Sequence, residues 1–397
     1  MPFEQYMAAC LYDPDGGFFA TGPLRSVKDG DFLTSPEVSP WFGRTLAEFV
    51  SREAERASSE GGFLVVDVGA GSGSLLKPLM SHLASPPDPL SPPQGEVVVG
   101  RRPADGGGQT SAASVSPPAF SPRGGESGPQ GREGGSSGSP AEGGEGGYSF
   151  HAVEASPAAR QALEGLLGPD HVRETIDDLP DRFDGVIIAN ELLDNFPVAL
   201  AVRSGDGWVE RWVGATETAF ELVTAEARPE VVTWCHAYAG KVQEGGMVEV
   251  ELAATDWVSA ILDRLARGAL VVIDYGGTAE ELEPRRTQGT LRTYQRHHLG
   301  PDPLLEPGAT DVTVDVNFTA VIAAAEAAGR SVELHRQDDF LAGLGLRNVV
   351  RDLRHRELDL ARGDDAMARL RVRSEAIDAG TLLHPRGLGD FRVMVAK

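Results

Sequence analysis

Short aliphatic runs alternate along the chain with longer stretches of helical periodicity. The runs are "GFLVVDVG" (62 to 69), "YSFHAVEAS" (148 to 156), "FDGVIIANE" (183 to 191), "GALVVIDYGG" (268 to 277), "SVELHR" (331 to 336) and "DFRVMVAK" (390 to 397). Uninterrupted apolar strands separated by helices predict a parallel sheet covered on both faces, hence a doubly wound α/β fold of the Rossmann-like kind. From 198, "ALAVRSGDGWVERWVG" alternates apolar and polar positions on either side of Gly-Asp-Gly. That pattern predicts a β-hairpin inserted after a core strand. No internal repeat is visible.

Residues 84 to 147 break the pattern. Gly, Pro and Ser make up 37 of these 64 positions, too little apolar surface to offset the entropy of ordering them. The segment reads as a disordered insertion. The chain then divides into an N-terminal helical cap or lid (1–60), a ligand-binding core (61–83 and 148–197), the insertion, an inserted β-rich lobe on the substrate side (198–260), and the remainder of the core (261–397).

Charge and composition narrow the function. With 36 basic against 59 acidic side chains, the net charge of −23 repels a nucleic-acid backbone and attracts cationic partners. The mixed-sign stretch "RNVVRDLRHRELDLARGDDAMARLRVR" reads as a solvated helix face. Apolar runs are strand-sized, so no membrane insertion is expected. Two cysteines, Cys10 and Cys235, allow no disulfide framework or Cys-based metal site. The opening residues lack the layout of a secretory or organelle leader, which makes a cytoplasmic location the expectation.

In "VVDVGAGSGSLL", Gly69, Gly71 and Gly73 follow a strand and precede a helix, where glycine permits a tight turn and a close approach to a ligand. The dinucleotide fingerprint wants a sixth-place glycine, and Ser74 stands there, which disfavours NAD. With Asp67 before it, the Gly-x-Gly-x-Gly form resembles the first motif of S-adenosylmethionine-dependent methyltransferases. A ribose-binding acid is then expected at the end of the next strand, where Glu154 lies. The separation from Gly69 is 85 positions, or 21 without the insertion, close to what a βαβ unit allows. Asp177 or Asp178, between the third and fourth strands, is a candidate adenine contact, or else an acidic surface turn.

Ligands of open α/β sheets sit beyond the carboxyl ends of the strands. In "IIANELLDNFPV", Asn190, Glu191 and Asp194 occupy that place. Pro197 restricts the segment to a loop or a single turn, in which Glu191 and Asp194 can face one pocket. Carboxylates beside a methyl donor suit a cationic nucleophile such as a guanidinium, which needs bidentate holding and charge localisation. Helix capping is the structural alternative for both acids.

Together "DGDFLTSPEVSPWFGRTLAEFV" (29 to 50), "VVDVGAGSGSLL", "ANELLDNFPV", "VVIDYGG", "GTLRTYQRHHL", "EPGATDVTVDVNFTAV" (306 to 321) and "QDDFLAGLGL" (337 to 346) resemble the MidA-like methyltransferases. That family includes the mitochondrial complex I assembly factor that methylates an arginine. The resemblance implies a seven-stranded class I methyltransferase sheet, S-adenosyl-L-methionine as cofactor, and transfer to a protein arginine on a basic or arginine-bearing partner; the carboxylates themselves call for no metal. A homodimer is left open. It also implies that Gly69, Gly71, Gly73 and Glu154 hold the cofactor. Thr34, Ser35 and Glu37 then belong to an N-terminal loop over the site, and Asn190 and Glu191 to the transfer centre. From the residues alone, "TSPE" equally predicts a helix start with Ser35 as cap. Asn317, where an acid is expected, and Gly277, where a polar residue is common, depart from the family pattern. His297 and His298 are assigned no catalysis. The competing readings are a small-molecule methyltransferase and a non-catalytic cofactor-binding assembly factor.

Overall fold

The computed structural model describes residues 1–21, 34–58, 62–84, 147–295 and 298–397. The expected disordered insertion, apart from its two end residues, and His297 lie outside them.

Seven strands form the main sheet: β1 (Phe63–Val68), β2 (Tyr148–Val153), β3 (Val172–Arg173), β4 (Phe183–Asn190), β5 (Leu265–Asp274), β6 (Val332–Arg336) and β7 (Arg392–Ala396). Their order is β3-β2-β1-β4-β5-β7-β6. Strands β1 to β5 run parallel, with Asp67 beside Ile188 and Ala189 beside Val272. The sheet is nevertheless mixed, because β7 pairs antiparallel with both β5 and β6. The expected parallel sheet is thus corrected toward this edge, where β7 runs antiparallel. Side chains alternate identically in either direction, so a hydrophobicity pattern cannot report strand polarity.

Why the central strands are apolar on both faces is clear from the packing. Val65, Val186, Ile188, Val271 and Val393 point to one face, where helix Trp41–Ala57 and the C-terminal helices Leu346–Leu360 and Ala366–Thr381 cover them. Their neighbours Val66, Ile187, Leu270, Val272 and Met394 point to the other, beneath helices Leu252–Arg264 and Phe318–Ala327. Two covered faces demand two apolar sets.

The predicted hairpin is present: Ala199–Ser204 pairs antiparallel with Gly207–Ala215 through the two-residue turn Gly205-Asp206. Gly205 takes a positive φ of 55° there, as a tight hairpin turn requires. Phe220–Glu226 and Met247–Val250 complete a four-stranded lobe.

The expected N-terminal cap of residues 1–60 is divided between these two parts. Helix Phe3–Tyr12 buries Phe3, Met7 and Leu11 against Val198, Leu200 and Val213 of the lobe. Arg228 ties them further, its guanidinium donating to Glu4 at 2.7 and 3.0 Å and to Glu210 at 2.9 Å. Helix Trp41–Ala57 instead lies on the main sheet. No helix among the described residues is long and apolar enough to cross a membrane.

Candidate active site

One cavity of about 850 Å³ opens at the carboxyl ends of β1, β2, β4 and β5, within the size range of small-molecule sites. It brings together Asp67, Gly69, Gly71, Glu154, Asn190, Glu191, Asp194 and Thr34, residues that lie far apart in sequence.

The glycine loop forms its floor. Gly69, Gly71 and Gly73 have φ of 73°, 53° and 76°, a region in which side chains other than Gly are strained. Gly69 and Ala70 donate their N–H groups to the Val153 carbonyl at 2.9 and 3.4 Å, tying the loop to the end of β2. Glu154 follows directly: its Oε2 accepts the Gly71 N–H at 2.8 Å and its Oε1 the Ser156 N–H at 2.8 Å. Burial still raises its carboxyl above the ordinary value. Gly73 is a different case, since it does not line the cavity. A Cβ there would meet Leu166 Cδ2 at 2.8 Å and Leu163 at 3.2 Å, so Gly73 serves helix packing.

Asp67, on β1, is 2% exposed. Burial, and next the Glu154 charge, push its carboxyl up to about 8. Among the described residues, buried Asp67 Oδ2, Asn190 Oδ1 and Asp194 Oδ1 have no hydrogen-bond partner. Three orphaned acceptors on residues of one cavity wall are costly in an empty protein and fit a ligand that carries donors or positive charge. Both the ammonium and the sulfonium of S-adenosyl-L-methionine meet that description, as does a guanidinium.

The segment after β4 is a single 3-10 turn, Leu193–Asn195, as Pro197 predicted. Glu191 has φ of 50°. A non-glycine residue in this region marks strain that the surroundings must hold, and such strain gathers at functional sites. Here the holders are specific: the Glu191 N–H donates to the Ile273 carbonyl at 2.8 Å. Its Oε1 accepts from the Ser35 N–H at 3.3 Å and from Asn190 Nδ2 at 3.4 Å. Burial, and then Asp194, lift its carboxyl to about 8.

Asp194 also reaches the cavity, but its Oδ2 is engaged by the Tyr275 hydroxyl and by Thr313 Oγ1 at 2.9 Å. Below it Asp274, fully buried at the end of β5, accepts N–H bonds from Leu193 at 3.0 Å, Asp194 at 3.3 Å and Tyr275 at 2.9 Å. Asp194 is thus an anchored group, and Glu191 the one aimed freely.

Other expectations change. Asp177 faces away: its side chain is 84% exposed and pairs with Arg264 at 2.8 Å. Thr175 caps the turn Ile176–Asp178, and Asp178 folds back to accept the Thr175 N–H at 3.2 Å; Glu174, Thr175 and Ile176 line the cavity instead. Thr34 rather than Ser35 is the N-cap of helix Ser35–Val38, and Glu37, its third residue, turns back to the Thr34 N–H at 3.5 Å. Ser35 is buried, with its hydroxyl accepting from Gln337 Nε2 at 3.1 Å. Neither Ser35 nor Glu37 lines the cavity. Asn317 caps the helix that follows it, accepting the Thr319 N–H at 3.1 Å.

Sequence reasoning missed Tyr12, Trp257, Tyr275, Arg285, Arg292, Asp311, Thr313 and Asp315, all of which, Thr313 apart, line the cavity. A signal existed for some. Tyr275 follows β5 as Glu191 follows β4, and in "TDVTVDVN" Asp311, Thr313 and Asp315 alternate with buried Val312, Val314 and Val316.

Residues 145–335 match a family model described as "Putative S-adenosyl-L-methionine-dependent methyltransferase". A COG1565 superfamily member from Burkholderia thailandensis, whose crystal structure holds S-adenosyl-homocysteine, is 27% identical. It superposes with a TM-score of 0.72 over 100% of this chain and 87% of that one. Among curated proteins, the mitochondrial protein arginine methyltransferase NDUFAF7 homolog of Drosophila melanogaster is 24% identical over 83% of this chain and 67% of its own length. Mouse NDUFAF7, also mitochondrial by name, is 24% identical over 86% of this chain and 70% of its own. Those relatives are mitochondrial by name, which overturns the cytoplasmic expectation. That expectation rested on the composition of the first residues, which is set by packing: Phe3, Tyr6, Met7, Cys10 and Leu11 are core. The mixed α/β sheet, the glycine loop and these likenesses together support an S-adenosyl-L-methionine-dependent methyltransferase, similar to the MidA-like proteins.

Proposed function

We propose that the acceptor is an arginine guanidinium of a protein, with Glu191 as the residue that receives it. When bound, S-adenosyl-L-methionine supplies an electrophilic methyl group. The glycine loop, Glu154 and Asp67 hold one end of the cavity for it: Asp67 Oδ2 for a cationic group, Glu154 for hydroxyls. Asn190 and Glu191 face the other end. Both hydrogen bonds to Glu191 fall on Oε1, which leaves Oε2 to meet the acceptor. A guanidinium keeps its proton in water, and a carboxylate in a dry site pairs with two of its nitrogens and localises the charge. The third nitrogen is then the nucleophile; the cofactor departs as S-adenosyl-homocysteine, and the surplus proton of the methylated guanidinium passes to Glu191 Oε2 from one of the nitrogens that the carboxylate holds.

The observation that carries this reading is Glu191 itself, a strained, half-buried acid with no basic partner among the described residues. A neutral hydroxyl acceptor gives such an acid no charge to balance. The names of the curated relatives support an arginine acceptor, and the family resemblance suggests a subunit of respiratory complex I. Incubation with isotopically labelled S-adenosyl-L-methionine and a mitochondrial protein extract, followed by mass spectrometry, tests it. Label on arginine is expected; label confined to small molecules or to other side chains overturns the proposal.

A further inference from the structure

Beyond Glu191, the cavity wall formed by residues 285 to 315 carries an unusual charge arrangement. Asp315 is 2% exposed and is fixed by its own N–H, which donates to Thr290 Oγ1 at 3.0 Å. Two guanidiniums share this one carboxylate: Arg285 through Nη1 to Oδ2, and Arg292 through Nη2 to Oδ1 at 2.5 Å. The group of three therefore keeps one positive charge. Each guanidinium has five N–H donors, and one from each is used on Asp315. Arg292 Nε is buried with no hydrogen-bond partner among the described residues. Arg285 is half-exposed, at 50%, and both arginines line the same cavity as Glu191. The Tyr275 hydroxyl bonds to Asp194 while Arg292 lies 5.4 Å from the centre of its ring.

We infer that Arg285 and Arg292 form an anion-reading subsite that binds a carboxylate carried by the acceptor close to the methylated group. Spare guanidinium donors in fork geometry recognise a carboxylate bidentately. Asp315 supplies the rigidity and neutralises only half of the charge. A substrate that brings a guanidinium to Glu191 and an acidic group to Arg285 and Arg292 matches both ends at once, and a purely basic peptide is repelled from the second. This inference adopts the orientation of the proposed function but is separable from it.

Equilibrium binding of amidated peptides in the presence of S-adenosyl-homocysteine tests it. Four peptides combine Arg or Gln at the central position with Asp or Asn beside it, and a fifth carries its only carboxylate at a free C-terminus. Asp peptides are expected to bind about tenfold more tightly than Asn peptides, whatever the central residue. Arg285→Glu removes that preference, with cofactor affinity unchanged by calorimetry. The fifth peptide tells whether a side chain or a chain end is read. Equal binding of Asp and Asn peptides, no peptide binding at all, or a preference that survives Arg285→Glu overturns the inference. Loss of the Arg-over-Gln difference alone counts against the arginine reading and leaves the subsite standing.

Discussion

Glu154 Oε2 accepts the Gly71 N–H at 2.8 Å, so the acid at the end of β2 and the middle of the glycine loop are parts of one surface. Glu154→Gln keeps the shape and removes the charge. Charge-assisted bonds to ligand hydroxyls contribute about 1.5–3 kcal/mol, so calorimetry is expected to show S-adenosyl-L-methionine binding weakened about 10- to 100-fold. Thermal stability should fall modestly, because both Glu154 oxygens accept backbone N–H bonds and the amide nitrogen of Gln can accept neither. Unchanged affinity would remove Glu154 from the cofactor site.

Glu191 predicts a pH dependence. Burial and Asp194 lift its carboxyl from near 4.5 to about 8 in the folded protein. Because the carboxylate is the form that meets a guanidinium, kcat/KM on an arginine peptide should rise with pH through about 8. Glu191→Gln should lower it about 100-fold and abolish that limb.

The same shift acts on stability. Below about pH 4.5 folded and unfolded states both hold the proton; between there and about 8 only the folded state does. The contribution of Glu191 is therefore fully present at low pH and lost as pH rises through that window. Denaturant midpoints of wild type relative to Glu191→Gln, compared at pH 5 and 8, should show the wild-type advantage shrinking. A constant difference contradicts a buried, raised carboxyl.

Much of this was legible before any coordinates. Six of the seven sheet strands announce themselves as aliphatic runs because both faces of the sheet are covered, and the glycine loop, Glu154 and Glu191 follow from the rule that sites lie past strand ends. β3 has only two residues, Val172–Arg173, too few for any period to register. The polarity of β7 leaves no trace in hydrophobicity. What Asp194 does was equally hidden, since Tyr275 and Thr313 lie 81 and 119 positions away, and only the folded chain shows that they occupy its carboxylate. The outward turn of Asp177 depends on Arg264, 87 positions distant.

That outward turn is itself testable. Asp177→Asn removes an exposed ion pair with Arg264, an interaction of about 0–1 kcal/mol. Cofactor affinity is expected to stay within about twofold of wild type, with a small drop in Tm. A large loss of S-adenosyl-L-methionine binding would mean that Asp177 meets the adenine after all.

Asp194 is expected to act through the Tyr275 hydroxyl and Thr313 rather than on the acceptor. Tyr275→Phe leaves the ring in place and strips one donor from a buried carboxylate, at a cost of about 1–3 kcal/mol. Asp194→Asn disturbs the same contact from the other side. If the two residues form one unit that fixes the turn carrying Glu191, the double variant should be no less stable than the worse single one. In each variant kcat should fall while cofactor affinity stays near wild type, because among the described residues the carboxylate hydrogen bonds of Glu154 run to Gly71 and Ser156 and those of Asp194 to Tyr275 and Thr313. Strictly additive losses in the double-mutant cycle would show that the residues act separately. An Asp194→Asn variant with raised KM and unaltered stability would instead make Asp194 a direct partner of the acceptor.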